Sequence, residues 1–210
     1  MPSGHVKNLG VVVDSALTMN QHVRLLCRTA YMHLYNIGKI RKFLSRSTAE
    51  KLVHALISSR LDYGNSLLYG ISNFLMDRIQ SVQKAAARVV TRTKKRDHIT
   101  PVLKELHWLP VSMRIEYKLL MFTYKALHGL SPPYMRELLN IYVPNRDLRS
   151  SSQCLLVAPK SNLKSGGGRA FSHGAPRLWN DLPKHVKNAE TLTVFKSRLK
   201  TFLFCKAYLW

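Results

Sequence analysis

Residues 78–127 read RIQSVQKAAARVVTRTKKRDHITPVLKELHWLPVSMRIEYKLLMFTYKAL, and the apolar spacing in this stretch limits the possible folds more than any other feature of the chain. Leu75, Ile79, Val82, Ala86 and Val89 recur at helical spacing, as do Ile115, Leu119, Phe122 and Ala126 further on. Each set predicts one helix with one apolar face, and such a face must be buried against a neighbour. The other faces are cationic. Lys84, Arg88 and Arg92 follow each other at four-residue spacing, Lys94, Lys95 and Arg96 crowd the expected end of the first helix, and Arg114, Lys118 and Lys125 lie off the stripe of the second. Between the helices, Thr100-Pro101 is a start signal for a short helix, which must stop before Pro110. Trp108 is expected to plug the junction among Leu103, Leu106 and Leu109; the alternative is a ring that stacks on a base or sugar.

The rest of the chain follows the same pattern. Val23, Leu26, Ala30, Leu34, Ile37 and Ile40 predict a helix over 20–44, with Arg24, Arg28, Lys39, Arg41 and Lys42 largely off its stripe. Ser47 and Glu50 read as a capping box for the next helix, and Ser72 or Asn73 as the cap of the one after it. Gly129 stops a helix, and Ser131-Pro132-Pro133 starts a short one that runs on to about residue 141. A final helix is expected over 192–208, with Phe195, Leu199, Phe202 and Leu203 inward. Residues 9–13 form a β-branched run that reads as a single strand, with no second convincing strand downstream before about residue 155. A lone strand cannot satisfy its own backbone, so its partner is expected to be missing or to come from another chain. After residue 142 the chain turns irregular: a polar region over 144–152, a short strand over 155–157, a glycine loop over 161–168, and an apolar knot of Pro176, Trp179, Leu182 and Pro183. The fold class is therefore mainly α: a helical bundle with one short N-terminal strand and an irregular C-terminal segment ending in a helix.

Charge then narrows the partners. The 210 residues include 33 Lys and Arg against 11 Asp and Glu, a formal +22, with 46% hydrophobic residues to build a core. Such an excess draws phosphate polymers or anionic membranes. The helices have complementary apolar faces to cover one another, so nucleic acid is the expected partner and a membrane is not. A charge stripe can also be a solvated face, but acidic partners are too scarce here to neutralise most of these cations internally. The expected binding residues are Lys84, Arg88, Arg92, Lys94, Lys95, Arg96, Arg114 and Lys118. About seven phosphate contacts would give a log–log salt slope of about −5 or −6 on duplex DNA.

The acidic residues bear on catalysis. Two-metal nucleotidyl transfer and nuclease chemistry need clustered carboxylates. Here the closest pair in sequence is Asp97 and Glu105, and Asp14, Asp62, Asp97 and Asp147 each lie near a cation, as caps and ion pairs do. No catalytic residue is assigned. His98 and His107 sit at opposite ends of a short helix, poorly placed to share a metal, so neither metal nor cofactor is expected. Gly166, Gly167 and Gly168 with Arg169 could cradle a phosphate, but the P-loop lysine pattern is absent. Cys27, Cys154 and Cys205 are far apart and odd in number, which argues against a zinc ribbon and for a reducing, intracellular compartment, nuclear or cytoplasmic.

The run DHITPVLKELHWLPVSMRIEYKLLMFTYKALHGLSPPYM (97–135) resembles the region after the polymerase core in reverse transcriptases of LINE-type, jockey-like non-LTR retrotransposons. Further pieces match in the family's order: LGVVVD (9–14), SRLDYGNSLLYG (59–70), IQSVQKAAARVV (79–90), LRSS (148–151), APRLWNDLP (175–183) and FKSRLKTFLF (195–204). The resemblance implies an orphan strand from the palm edge (1–18), a thumb-like helical domain (19–142) and a basic C-terminal segment (143–210), with a soft boundary near 141–144. It implies a fragment of an RNA-directed DNA polymerase, without the YxDD carboxylates, that grips the backbone of an RNA or DNA template-primer. The missing fingers and palm would be a further partner. A different class of function stays open beside it: a stand-alone interaction module that docks on an acidic protein or on a palm in trans. A nuclease relying on Asp97 or Asp147 ranks last.

Overall fold

A computed structural model describes residues 4–144, 154–160 and 167–209. The protein is mainly helical, with one small antiparallel sheet at its N-terminal end. It divides into two compact units, Met1–Arg114 and Ile115–Trp210. The division falls inside a helix and not at the change of composition near 141–144. The polar region and the glycine loop expected over 144–152 and 161–168 lie mostly outside the described residues, as do Asp147 and the LRSS piece.

In the first unit, β1 (His5–Asn8) and β2 (Val11–Asp14) pair antiparallel, with Val6 opposite Val13 and Asn8 opposite Val11. The expectation of a partnerless strand is therefore wrong: the partner lies just upstream. The two strands are joined by Leu9 and Gly10, at φ 44° and 82°. Positive φ at both central residues is the mark of a type I′ hairpin turn, usually signalled by Asn-Gly, and leucine in the first place hid it. The Tyr63 hydroxyl donates to the Leu9 carbonyl at 2.6 Å and pins the turn. Asp14 ends β2 and accepts from the backbone N–H groups of Thr18 and Met19 at 2.9 and 2.8 Å, which leads the chain into the first long helix. The Thr18 N–H in particular holds the Asp14 carboxyl below the usual carboxylate range, against the opposing effect of partial burial.

Helix α1 (Asn20–Ile40) packs along α4 (Asn73–Thr91). The buried stripe of α1 is Val23, Cys27, Ala30, Leu34 and Ile37, so Cys27 replaces the expected Leu26 and Ile40 points outward. That of α4 is Leu75, Ile79, Val82, Ala86 and Val90, with Val90 in place of Val89. Between them, α2 (Arg46–Val53) passes through a wider turn at His54–Ser58 into α3 (Ser59–Asp62). The cap of α2 is Ser45, whose hydroxyl accepts from the Thr48 N–H at 3.1 Å, and not the Ser47–Glu50 pair. Short α5 (Thr100–Glu105) begins with Pro101 in its first turn.

Trp108 is buried, 5% exposed, with its ring centroid 5.4 Å from that of His54. The turn that carries it is held by two glutamines of α4. Gln83 donates to the Leu109 carbonyl at 2.8 Å, and Gln80 accepts from the Val111 N–H at 2.9 Å and donates to Gln83 at 2.8 Å. Gln83 is only 2% exposed, so each of these amides satisfies a group that water cannot reach.

In the second unit, α6 (Val111–Leu127), whose first turn belongs to the first unit, carries Tyr124 into an aromatic core. The Tyr124 ring stacks on Phe195 with centroids 4.3 Å apart, and its hydroxyl donates to the Ala189 carbonyl at 2.8 Å. Short α7 is Pro133–Glu137, shorter than expected. The strand expected over 155–157 is a single bridge, Leu156 to Ile141. The apolar knot turns out to include a helix, α8 (Phe171–Asn180), with Pro176 inside it and Trp179 1% exposed. Short α9 (Lys184–Lys187) leads to α10 (Leu192–Tyr208), where Phe195, Leu199 and Leu203 are buried. The Thr191 hydroxyl caps α10.

Replacing Gln83 by leucine keeps the apolar face but leaves the Leu109 carbonyl without a donor. The expected cost is on the order of 1–3 kcal/mol of unfolding free energy, read from urea titrations. An unchanged midpoint would show that the glutamine pair does not hold the Trp108 turn.

Candidate nucleic-acid interface

The last carbonyls of a helix have no partner within it. In α4 those of Val89 and Val90 accept from Nε and Nη2 of Arg41, both at 2.7 Å, while Arg41 Nη1 donates to the Leu44 carbonyl at 2.7 Å. Arg92 stands just past α4 at φ 58° and reaches back, its Nη2 donating to the Arg41 carbonyl at 3.0 Å. Two arginines thus tie the C-terminal ends of α1 and α4 together, with cations where each helix dipole is negative. Burial first, and then the Arg92 charge, pulls the Arg41 guanidinium below its ordinary pKa; it remains charged.

Beyond this clasp the basic elbow is a defined turn. The Asp97 N–H donates to the Lys94 carbonyl at 3.1 Å, and the Asp97 carboxylate accepts the Lys94 N–H at 3.0 Å. Arg88 reaches from α4 to hold it, donating to the carbonyls of Lys94 and Asp97. Lys95 and Arg96 occupy the middle of the turn, exposed, with Lys94 exposed beside them.

The eight expected binding residues therefore separate. Lys84, Lys94, Lys95 and Arg96 are exposed and make no ion pair among the described residues. Arg88 and Arg92 are spent on backbone carbonyls. Arg114 is bound to Asp62 by both Nε, at 2.8 Å, and Nη2, and its side chain is only 19% exposed. This bidentate pair makes Arg114 an internal strut. Lys118 is half-buried on the part of α6 that belongs to the second unit. Of the basic face, the structure brings Lys94, Lys95 and Arg96 together on one turn. Arg41, read from sequence only as a surface cation, is a central structural residue.

Several acidic side chains have structural partners: Asp14 accepts from the Thr18 and Met19 N–H groups just before α1, Asp62 binds Arg114, Asp97 closes the turn, Glu105 pairs with Arg46 at 2.5 Å and Glu116 with Lys206 at 3.2 Å. Among the described residues no group of three or more His, Cys, Asp or Glu side chains could hold a metal, and no helix is long and apolar enough to cross a membrane. Cys27, Cys154 and Cys205 are free thiols. Comparison with protein-family models, curated proteins and solved structures finds no match to this chain.

The division between structural arginines and open lysines is measurable. Arg114→Gln is expected to cost on the order of 1–3 kcal/mol, because it leaves a part-buried carboxylate unpaired, and Arg88→Gln about 0.5–1.5 kcal/mol, because water can reach the carbonyls it releases. Lys95→Gln and Arg96→Gln should stay within about 0.5 kcal/mol of the parent. Urea melts are the suitable measurement, since guanidinium would screen the charges. Equal effects for all four variants would contradict the division.

Proposed function

We propose that this chain is the thumb-like and C-terminal portion of a non-LTR retrotransposon reverse transcriptase, and that it binds template-primer nucleic acid through the phosphate backbone. The observation that carries the binding part is the exposed turn Lys94–Lys95–Arg96 with Lys84, cations without an acidic partner among the described residues, in a chain of net charge +22. The family assignment rests on the ordered sequence pieces that resemble the region after the polymerase core. In this reading the Arg41–Arg92 clasp and the Arg88 anchor present the turn as a firm projection. Lysines on such a turn meet phosphates as point charges, which gives affinity without base preference. The helices supply position and charge, and polymerisation belongs to the core the resemblance places upstream.

With Arg88, Arg92 and Arg114 engaged internally, about four phosphate contacts remain, which gives a log–log salt slope of about −4 on duplex DNA. The test is a salt titration of binding to duplex DNA and to an RNA–DNA hybrid, with a primer-extension assay alongside. The expected result is salt-sensitive binding, weakened by Lys94→Gln and Lys95→Gln, and no synthesis. Metal-dependent DNA synthesis by the chain alone would overturn the reading. So would binding that survives high salt and ignores nucleic acid, which would assign the surface to an acidic protein or a palm in trans.

A further inference from the structure

A second surface, on the outer side of α1, has a different chemistry from the lysine turn. Arg24, Arg28, Tyr31, Tyr35 and Lys39 fall within roughly 80° of arc at 100° per residue, centred about 120° from the middle of the buried stripe and adjoining it at Cys27. Tyr31 is 45% exposed and Tyr35 64%. The Lys39 ammonium lies 4.4 Å from the Tyr35 ring centroid. Beside this row, the first turns of α4 bring up Phe74, 69% exposed, with the Arg78 guanidinium 5.8 Å from its ring centre.

The two rows meet in a groove of about 490 Å³ lined by Arg24, Cys27, Arg28, Tyr31, Arg78 and Ser81. Three guanidinium groups face it, and none forms an ion pair among the described residues. The Arg78 charge is felt inside, where it opposes the upward push of burial on the Cys27 thiol and the Tyr31 phenol. No acidic residue occurs in α1, and the one in α4 is Asp77, exposed next to Arg78. Lys84 lies roughly a third of a turn round α4 from Arg78, so the groove and the lysine row are different faces of that helix.

An exposed tyrosine alone has no meaning, and a solvated arginine is ordinary. Here two open aromatic rings lie between cations along one row, and one of them, Tyr31, borders an arginine-lined groove. That combination suits a strand whose bases are unpaired: phosphates seat among the arginines, and bases stack on the rings. Tyr31 and Tyr35 stand about 6 Å apart along the helix, enough to take separate bases. A duplex keeps its bases stacked inside and cannot use the rings. We propose that the α1–α4 face, with Arg24, Arg28 and Arg78 at the phosphates and Tyr31 and Tyr35 under the bases, is a binding site for single-stranded nucleic acid. It rests on the nucleic-acid reading above and adds to it a strand type and a second surface.

The test uses the full chain, fluorescence anisotropy, a labelled oligothymidylate and a blunt DNA duplex. Tyr31→Ala and Tyr35→Ala are each expected to weaken oligothymidylate binding about tenfold and to leave duplex binding unchanged. Tyr31→Phe and Tyr35→Phe should keep parental affinity, since stacking needs the ring and not the hydroxyl. Arg28→Gln and Arg78→Gln should each reduce the salt slope for the single strand by about one. Circular-dichroism melts confirm that the exposed substitutions leave the fold intact. Parental affinity in both alanine variants, or equal loss on single strand and duplex, would overturn the site; so would polyglutamate competing as well as unlabelled oligothymidylate. If duplex binding persists with its dependence on Lys94 and Lys95, only this inference fails. If the parent chain binds neither probe, the nucleic-acid reading fails with it.

Discussion

Helix ends must find donors for their last carbonyls, and in this protein arginine side chains from elsewhere in the chain supply them. Arg41 answers the Val89 and Val90 carbonyls, and Arg92 answers Arg41 in return. The exchange fixes where α4 stops. It therefore fixes where the following turn starts, and Arg88 then binds that turn to the helix it leaves. Without these contacts the row of cations at residues 94–96 would be a frayed end. With them it is a set of charges at fixed positions on a structured surface.

The difference between the two cationic residue types explains the pattern. Guanidinium is planar and offers several donors in a fixed fork, so it can satisfy two or three carbonyls or one carboxylate at a time. Ammonium is a compact, strongly hydrated charge that is costly to bury. The structure engages Arg41, Arg88, Arg92 and Arg114 in internal hydrogen bonds and leaves Lys84, Lys94 and Lys95 exposed and without an ion pair among the described residues. Lys187 is an informative exception: it is 6% exposed, donates to the Asn180 carbonyl at 3.1 Å, and burial lowers its pKa. The net charge of +22 therefore overstates what a ligand can meet. Part of that charge is engaged in internal hydrogen bonds and ion pairs.

Helical periodicity made the bundle legible: α1, α4, α6 and α10 lie where the apolar spacing puts them, with stripes off by a residue at Cys27 and Val90, Ile40 exposed, and Phe122 and Phe202, both expected inward, only half-buried. Signals that depend on backbone conformation were not legible. Leu9 in a positive-φ turn looks like any apolar residue, so the β1–β2 hairpin read as one strand. The knot of Pro176, Trp179, Leu182 and Pro183 read as irregular, though α8 runs through Pro176. The basic face was visible as composition, but sequence spacing does not reveal that a guanidinium reaches carbonyls on another helix. The Tyr31–Tyr35 row was hidden for the converse reason: periodicity marks the residues a helix buries and says nothing of the rings that lie between cations on its open side.

Exposed lysines occur on several elements, Lys7, Lys51, Lys104 and Lys196 among them, and the claim on which the account depends is that nucleic acid meets those of α4 and the turn after it. Amine-reactive footprinting of the full chain, with and without a short RNA–DNA hybrid, reads each lysine by mass spectrometry. The account predicts protection concentrated at Lys84, Lys94 and Lys95, with Lys187 unreactive in both states. Protection spread evenly over all reactive lysines, or none at Lys94 and Lys95, would contradict it.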